Sequence, residues 1–311
     1  MTEYFFKESF PPETFEYSYD PWLFHHPDHL LIQSPTGWVT FLAIHERRQH
    51  IEAYLPVHIA DHTAVSPLRA SFGSVQFDPA LEPIVLYRFI EFILVKLKQK
   101  GVTSLILKNP PDQYQQAQAV LLNTFLFNLG FHVKEAEVGA MIGTNENFEE
   151  GLTPWETRKL KQARTEGLRF VIEKQEKLKT HYSFIAKCRK ERDHALSMDW
   201  QTLDDTVTTF PDRFALFSIY EGKELAAASI AVKVSETVLY NFLSAHPHKY
   251  DHLSPVVLLL EGMHRYSIEQ EFTYLDLGTS ALEGQPNFSL LNFKLGLGAT
   301  PTMKLTFRKT L

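Results

Sequence analysis

At 311 residues, with 44% hydrophobic and 22% charged side chains, the chain is long enough for two separate cores and has the composition of a soluble globular protein. Its formal net charge of −6 argues against a surface that binds nucleic acid all over, while leaving room for a local basic groove. The single cysteine, Cys188, excludes an intramolecular disulfide and any multi-cysteine metal site, and fits a reducing compartment.

The start, MTEYFFKESF, has neither a basic n-region nor a long apolar stretch. The longest apolar run, Val256 to Leu260, is far too short to span a bilayer, so a cytoplasmic protein with no membrane span is expected. After a lead holding Pro11-Pro12 and His25-His26, WVTFLAIHER alternates like a strand, IEAYLPVHIA reads as its hairpin partner, and RASFGSVQF reads as a third strand. Pro83 opens a helix whose Leu86, Phe89, Ile90, Ile93, Leu94 and Leu97 recur at helical spacing until Gly101. The strand SLILK and a helix through Ala117, Leu121, Leu122 and Phe125 follow. The polar stretch from Thr144 to Gly151 then separates a first domain, 1–150, from a second, 151–311.

In the second part, Thr153 and Pro154 open a helix that stops at Gly167 before a strand. A mixed-charge helix is expected around Tyr182 to Leu196, then a hairpin about Glu221-Gly222 and the strand VLYNFLSAH. Ser254-Pro255 caps a helix through Val256, Leu259, Leu260 and Met263. YLDLGTS reads as a buried strand, NFSLLNFK as a short helix, and PTMKLTFRK as the alternating strand that closes the sheet. Leu55 and Leu225 lie 170 positions apart (225 − 55), as do Leu105 and Leu275 (275 − 105). That near-constant offset across matching elements predicts two copies of one α/β plan, each a mixed, mainly antiparallel sheet flanked by helices.

Asp276 and Gly278 fall at the carboxyl end of a buried strand, where α/β sites are built, and Lys294 follows Phe293 on the short helix beside it. Asp276 either receives a proton or ammonium there or caps the following loop; Asn287 reads as a substrate contact or as the helix N-cap. Lys294 either brings positive charge to a tetrahedral oxyanion or is a solvated helix lysine. Arg158, Lys161 and Arg164 can share a helix face that holds a phosphate, or form an ordinary solvated face with the glutamates between them. His246, after its strand, is a candidate base, and Tyr240 on that strand a candidate substrate contact. The histidine groups lack metal-site spacing, so no metal is assigned. Cys188, without a paired histidine, reads as packing.

The order of strands and helices, with RKLKQARTEG, YLDLGTS and FKLGLGA in their places, resembles the tandem GNAT (Gcn5-related N-acetyltransferase) fold and, within it, the FemABX group of peptidoglycan aminoacyltransferases and their bacterial relatives. The resemblance implies transfer of an acyl or aminoacyl group to an amine, from acyl-CoA or aminoacyl-tRNA, with Lys294 as the matching lysine and no tightly bound cofactor. It implies a small-molecule or nucleotide-linked acceptor. Two departures stand out. The loop expected to cradle a CoA pyrophosphate reads HPHKYDHLSP, without glycine, and the last helix offers Phe288 and Phe293 where the superfamily often has a tyrosine. Both point away from ordinary CoA use, toward another donor or toward a noncatalytic protein that binds a nucleotide-linked or cell-wall-related ligand.

Overall fold

A computed structural model describes residues 3–10, 15–282 and 284–311; the Pro11-Pro12 pair of the lead and the first residues of the start lie outside them. The chain divides into two compact units, one made of the residues up to Glu137 together with Met303–Leu311, the other of Val138–Thr302.

In the first unit the strands are β1 (Tyr4–Ser9), β2 (Glu16–Tyr17), β3 (Trp38–His45), β4 (His50–Ala60), β5 (Thr63–Ser66), β6 (Gln76–Phe77) and β7 (Ser104–Lys108). They pair in the order β1-β3-β4-β5-β7, and β5 and β7 run parallel. The helices are α1 (Pro27–Gln33), α2 (Pro83–Gln99) and α3 (Gln116–Asn128). The expected stripe of α2, including Leu86, Phe89, Ile93 and Leu97, is buried in a core with Phe41, Leu55 and Leu105. The stretch RASFGSVQF is mostly loop rather than a strand. Ser66 Oγ accepts from the Ser74 N–H (3.0 Å), the Gly73 N–H donates to Lys108 O (2.9 Å), and Ser74 is left-handed at φ 74°. These local bonds satisfy the backbone without a ladder. The third strand is instead β5, too short to show an apolar alternation.

The second unit begins inside β8 (His132–Gly143), followed by α4 (Phe148–Gly151), α5 (Pro154–Thr165), β9 (Leu168–Glu173), α6 (Leu178–Lys190) and α7 (Trp200–Thr209). Then come β10 (Phe214–Glu221), β11 (Glu224–Lys233), β12 (Val238–Ala245), α8 (Pro255–Glu269) and β13 (Tyr274–Thr279). The small hairpin β14 (Ala281–Leu282) and β15 (Gln285–Pro286), α9 (Phe288–Gly296) and β16 (Thr300–Thr310) complete the chain. The sheet order is β8-β13-β12-β11-β10-β9, and only β12 and β13 are parallel. Val257, Leu259 and Met263 of α8 pack on Phe217, Leu239 and Leu275. The parallel pairs β5–β7 and β12–β13 occupy matching places: Leu105 and Leu275 keep the offset of 170, while their partners Ala64 and Leu239 lie 175 apart (239 − 64).

Three expectations need correction. The division falls at 137/138 and not at 150/151, because β8 does not end with the first unit: its Gly139 to Gly143 pair with Thr279 to Tyr274 of β13. The last strand lies beside β8, as expected, but it also reaches past the second sheet. Thr306 to Thr310 of β16 pair with Lys108 to Ser104 of β7, and Leu305 and Phe307 enter the first core. The mixed-charge helix runs from Leu178 to Lys190, not Tyr182 to Leu196; Asp193, at φ 54°, lies in the turn that follows it.

Candidate active site

Parallel pairing of β12 with β13 runs Val238↔Tyr274, Leu239↔Leu275, Tyr240↔Asp276 and stops there. Both strands become irregular beyond that point. Ile230↔Leu243 and Ala231↔Asn241 leave one extra residue on β12, and Asp276↔Met141 and Thr279↔Gly139 leave one on β13. Such bulges bend a strand and re-aim its side chains and carbonyls. On β13 the device is chemical: the buried Asp276 accepts the Gly278 N–H at 2.7 Å through Oδ1, and Gly278 takes φ +75°. A Cβ there would also stand 3.3 Å from Tyr240 Cε2, so glycine is needed twice over.

Lys294 closes the arrangement from the other side. Its Nζ donates to Gly278 O at 2.7 Å and to Thr279 O at 2.9 Å, with only 4% of the residue exposed. Asp276 therefore holds the N–H and Lys294 the carbonyl of the same bulged glycine. Burial pushes the lysine down to about 8, and the nearby Asp276 charge works against that by favouring the ammonium. Two of its three N–H groups are spent on these carbonyls, leaving one not committed to them. The solvated-lysine reading is thus excluded by burial. Next to it, Ser280 Oγ is buried without a hydrogen-bond partner.

The helix that presents Lys294 is fixed at both ends. Asn287 Oδ1 caps α9 by accepting the Leu290 N–H at 3.0 Å, so its side chain serves the helix, and Phe293 packs against the core. At the other end Gly296 O accepts the Thr153 N–H at 2.9 Å. Gly298, at φ +80°, has backbone atoms of Gly151 within 2.8 to 3.0 Å of where a Cβ would sit. Gly298→Ala is expected to cost about 2–4 kcal/mol, since backbone must move to admit the methyl in a strained conformation. A lower urea midpoint at unchanged slope measures this; an unchanged midpoint would show the contact to be slack.

His246 belongs to a separate charged cluster. Its Nε2 lies 2.8 Å from Asp251 Oδ1, Arg192 Nη2 reaches the same oxygen at 2.5 Å, and His248 Nδ1 is 3.1 Å from Oδ2. Burial and the Arg192 charge lower the pKa of His246. Burial acts to raise Asp251, but hydrogen bonds from His248, Arg192 and His246 prevail and hold it at about 2. The loop from His246 to Pro255 is wound into a tight turn that uses its own donors: the Tyr250 N–H goes to Pro247 O, and the Ser254 N–H to Tyr250 O. Ser254 is left-handed and its side chain does not cap α8, contrary to the expectation from Ser254-Pro255.

The three basic residues of α5 part company. Arg164 pairs with Glu149 at 2.8 Å and Glu261 at 3.7 Å, whereas Arg158 lies 5.0 Å from the Trp155 ring centre and Lys161 is exposed. Arg189 on α6, unmarked in the sequence because it sits among alternating charges, has a buried, unpartnered Nε and is within electrostatic reach of Tyr240. Burial lifts Cys188 to about 11, which suits packing rather than nucleophilic chemistry. Among the described residues no group of three or more His, Cys, Asp or Glu is placed to hold a metal ion, and no helix is long and apolar enough to cross a membrane.

Residues 156–288 match the family model described as an Acetyltransferase (GNAT) domain. The structure is similar to that of FemX, with a TM-score of 0.69 at 12% identity over 93% of this chain and 92% of that one. It is similar to the C-terminal domain of an Agrobacterium fabrum protein assigned as a lysylphosphatidylglycerol synthetase (TM-score 0.56, 10% identity, 84% and 82% covered). L-PGS from Bacillus licheniformis gives 0.55 at 13% identity, with 82% and 80% covered. Comparison with curated proteins gave no match. Residues 156–288 are thus similar to an acetyltransferase (GNAT) domain, and the chain shares its fold with FemX.

Proposed function

We propose that the chain is an N-acyltransferase that moves an aminoacyl group from an aminoacyl-tRNA to a small-molecule or nucleotide-linked amine by direct attack. The observation that carries this is the buried Lys294, held by two carbonyls of the bulge at the carboxyl end of β13 with one N–H to spare. The amine nitrogen attacks the ester carbonyl carbon, and the oxyanion that forms is stabilised by the remaining N–H of the Lys294 ammonium. The carbon–oxygen bond to the ribose then breaks as the carbonyl reforms. The attacking nitrogen loses its extra proton to Asp276 or water, and the ribose oxygen takes one up. No metal or covalent enzyme intermediate is needed.

The choice of donor rests on the loop from His246 to Pro255, where N–H groups that would cradle a pyrophosphate are turned onto the loop's own carbonyls. The same closed loop also favours a second reading, a noncatalytic binder of a nucleotide-linked or cell-wall-related ligand. Transfer assays with radiolabelled aminoacyl-tRNA and with acetyl-CoA, beside calorimetric titration of CoA, separate the cases. Aminoacyl transfer without saturable CoA binding is expected. Saturable CoA binding with acetyl transfer would move the donor to acyl-CoA, and transfer from neither would support the noncatalytic reading.

A further inference from the structure

A large aromatic ring left in water on a rigid helix is unusual, and α5 carries one in its first turn. Trp155 is 58% exposed, with the Arg158 guanidinium 5.0 Å and Lys159 Nζ 5.3 Å from its ring centre. Among the four cations of this helix, Lys159 faces Glu156 at 3.9 Å and Arg164 faces Glu149 and Glu261. Arg158 and Lys161 are exposed and have no acidic partner among the described residues. They stand one helical turn apart, on a chain whose net charge is −6. The strip also has a direction. The start of α5 abuts the end of α9, through the Thr153 N–H on Gly296 O and Glu156 beside Gly296, two residues from Lys294.

We propose that this outer face of α5 docks the RNA of the donor, with Trp155 stacking on an unpaired base near the acylated end and Arg158 and Lys161 holding phosphates. The inference rests on the aminoacyl-tRNA reading of the site. Bases present a flat π face that a tryptophan with a guanidinium beside it matches, and phosphates match two cations that no carboxylate neutralises. The apolar side chains exposed on α9, Phe288 and Leu290 among them, would suit a lipid surface instead, but they lie outside the cationic strip.

Fluorescence anisotropy with labelled deacylated tRNA, intact or trimmed of its single-stranded 3′ end, tests the strip. Trp155→Ala is expected to weaken binding of intact tRNA by roughly tenfold and to leave the trimmed molecule unchanged. The pair Arg158→Gln and Lys161→Gln is expected to flatten the slope of log affinity against log salt by about 1.4–1.8. Both positions are exposed, so folding is preserved, and thermal unfolding confirms it. Wild-type affinity in these variants overturns the proposal, as does binding to phosphatidylglycerol vesicles that depends on Trp155 without binding to tRNA. The two readings fail separately. Transfer lost in Lys294→Met with tRNA binding indifferent to Trp155 removes the docking strip alone. Trp155-dependent tRNA binding without transfer from any donor removes the acyltransferase reading and supports the strip.

Discussion

Lys294→Met is expected to lower transfer by at least about a hundredfold, the usual loss when one donor to an oxyanion is removed, while the protein remains folded. Methionine is close to isosteric and carries no charge to bury. The stability consequence has a definite sign. The lysine has a folded-state pKa of about 8 against 10.5 ordinarily, so between those values the unfolded chain binds more protons and stability rises with pH. Below about 8 the full cost of the buried ammonium is present, on the order of 3 kcal/mol, and above 10.5 it is gone. The variant escapes that cost but leaves the carbonyls of Gly278 and Thr279 without their donor, so at pH 7 the two effects offset to within about 2 kcal/mol. Urea unfolding at pH 7 and pH 10 should show wild type gaining more stability than the variant over that interval. Equal gains would mean that Lys294 is not charged and buried in the folded protein, and retained transfer would end its catalytic role. For activity the order is reversed. The ammonium is the active form, so kcat/KM should fall as pH rises through about 8.

Asp276→Asn should follow from the same geometry with a different signature. The amide keeps an oxygen for the Gly278 N–H, so the bulge persists, but the charge that favours the Lys294 ammonium disappears. The lysine then loses its proton at lower pH, and the alkaline fall of kcat/KM moves toward acid, with a loss of about tenfold at pH 8 that acidification restores. A loss of similar size at every pH, with the alkaline limb in place, would instead make Asp276 the group that accepts the amine's proton.

Much of this was legible in the chain because it is written in local pattern. The stripe from Leu86 to Leu97, the strand SLILK, the cap at Thr153 and the strand carrying Asp276 depend on nearest neighbours, and they fold where the pattern places them. Burial of Lys294 is not local: a lysine on a short helix is solvated in most proteins, and only the carbonyls freed by a bulge sixteen and fifteen positions away change that. Arg189 and Trp155 gave no signal for the same reason, since one gains meaning from Tyr240 on another element and the other from what is missing around it. The loop around Gly73 misled because its apolar alternation is that of a strand, while its serines satisfy the backbone locally.

The destination of β16 bears on how the molecule is made. Ribosomes release a chain from one end, and a unit whose sheet lacks one of its strands stays open at that gap. The β7 edge receives Thr306 to Thr310 only after nearly two hundred intervening residues have emerged, so the first half of the protein cannot finish folding before the second has been synthesised. Completion of the first unit is thereby tied to a single late event, and a nascent chain stalled short of β16 leaves both Leu305 and Phe307 missing from the earlier core.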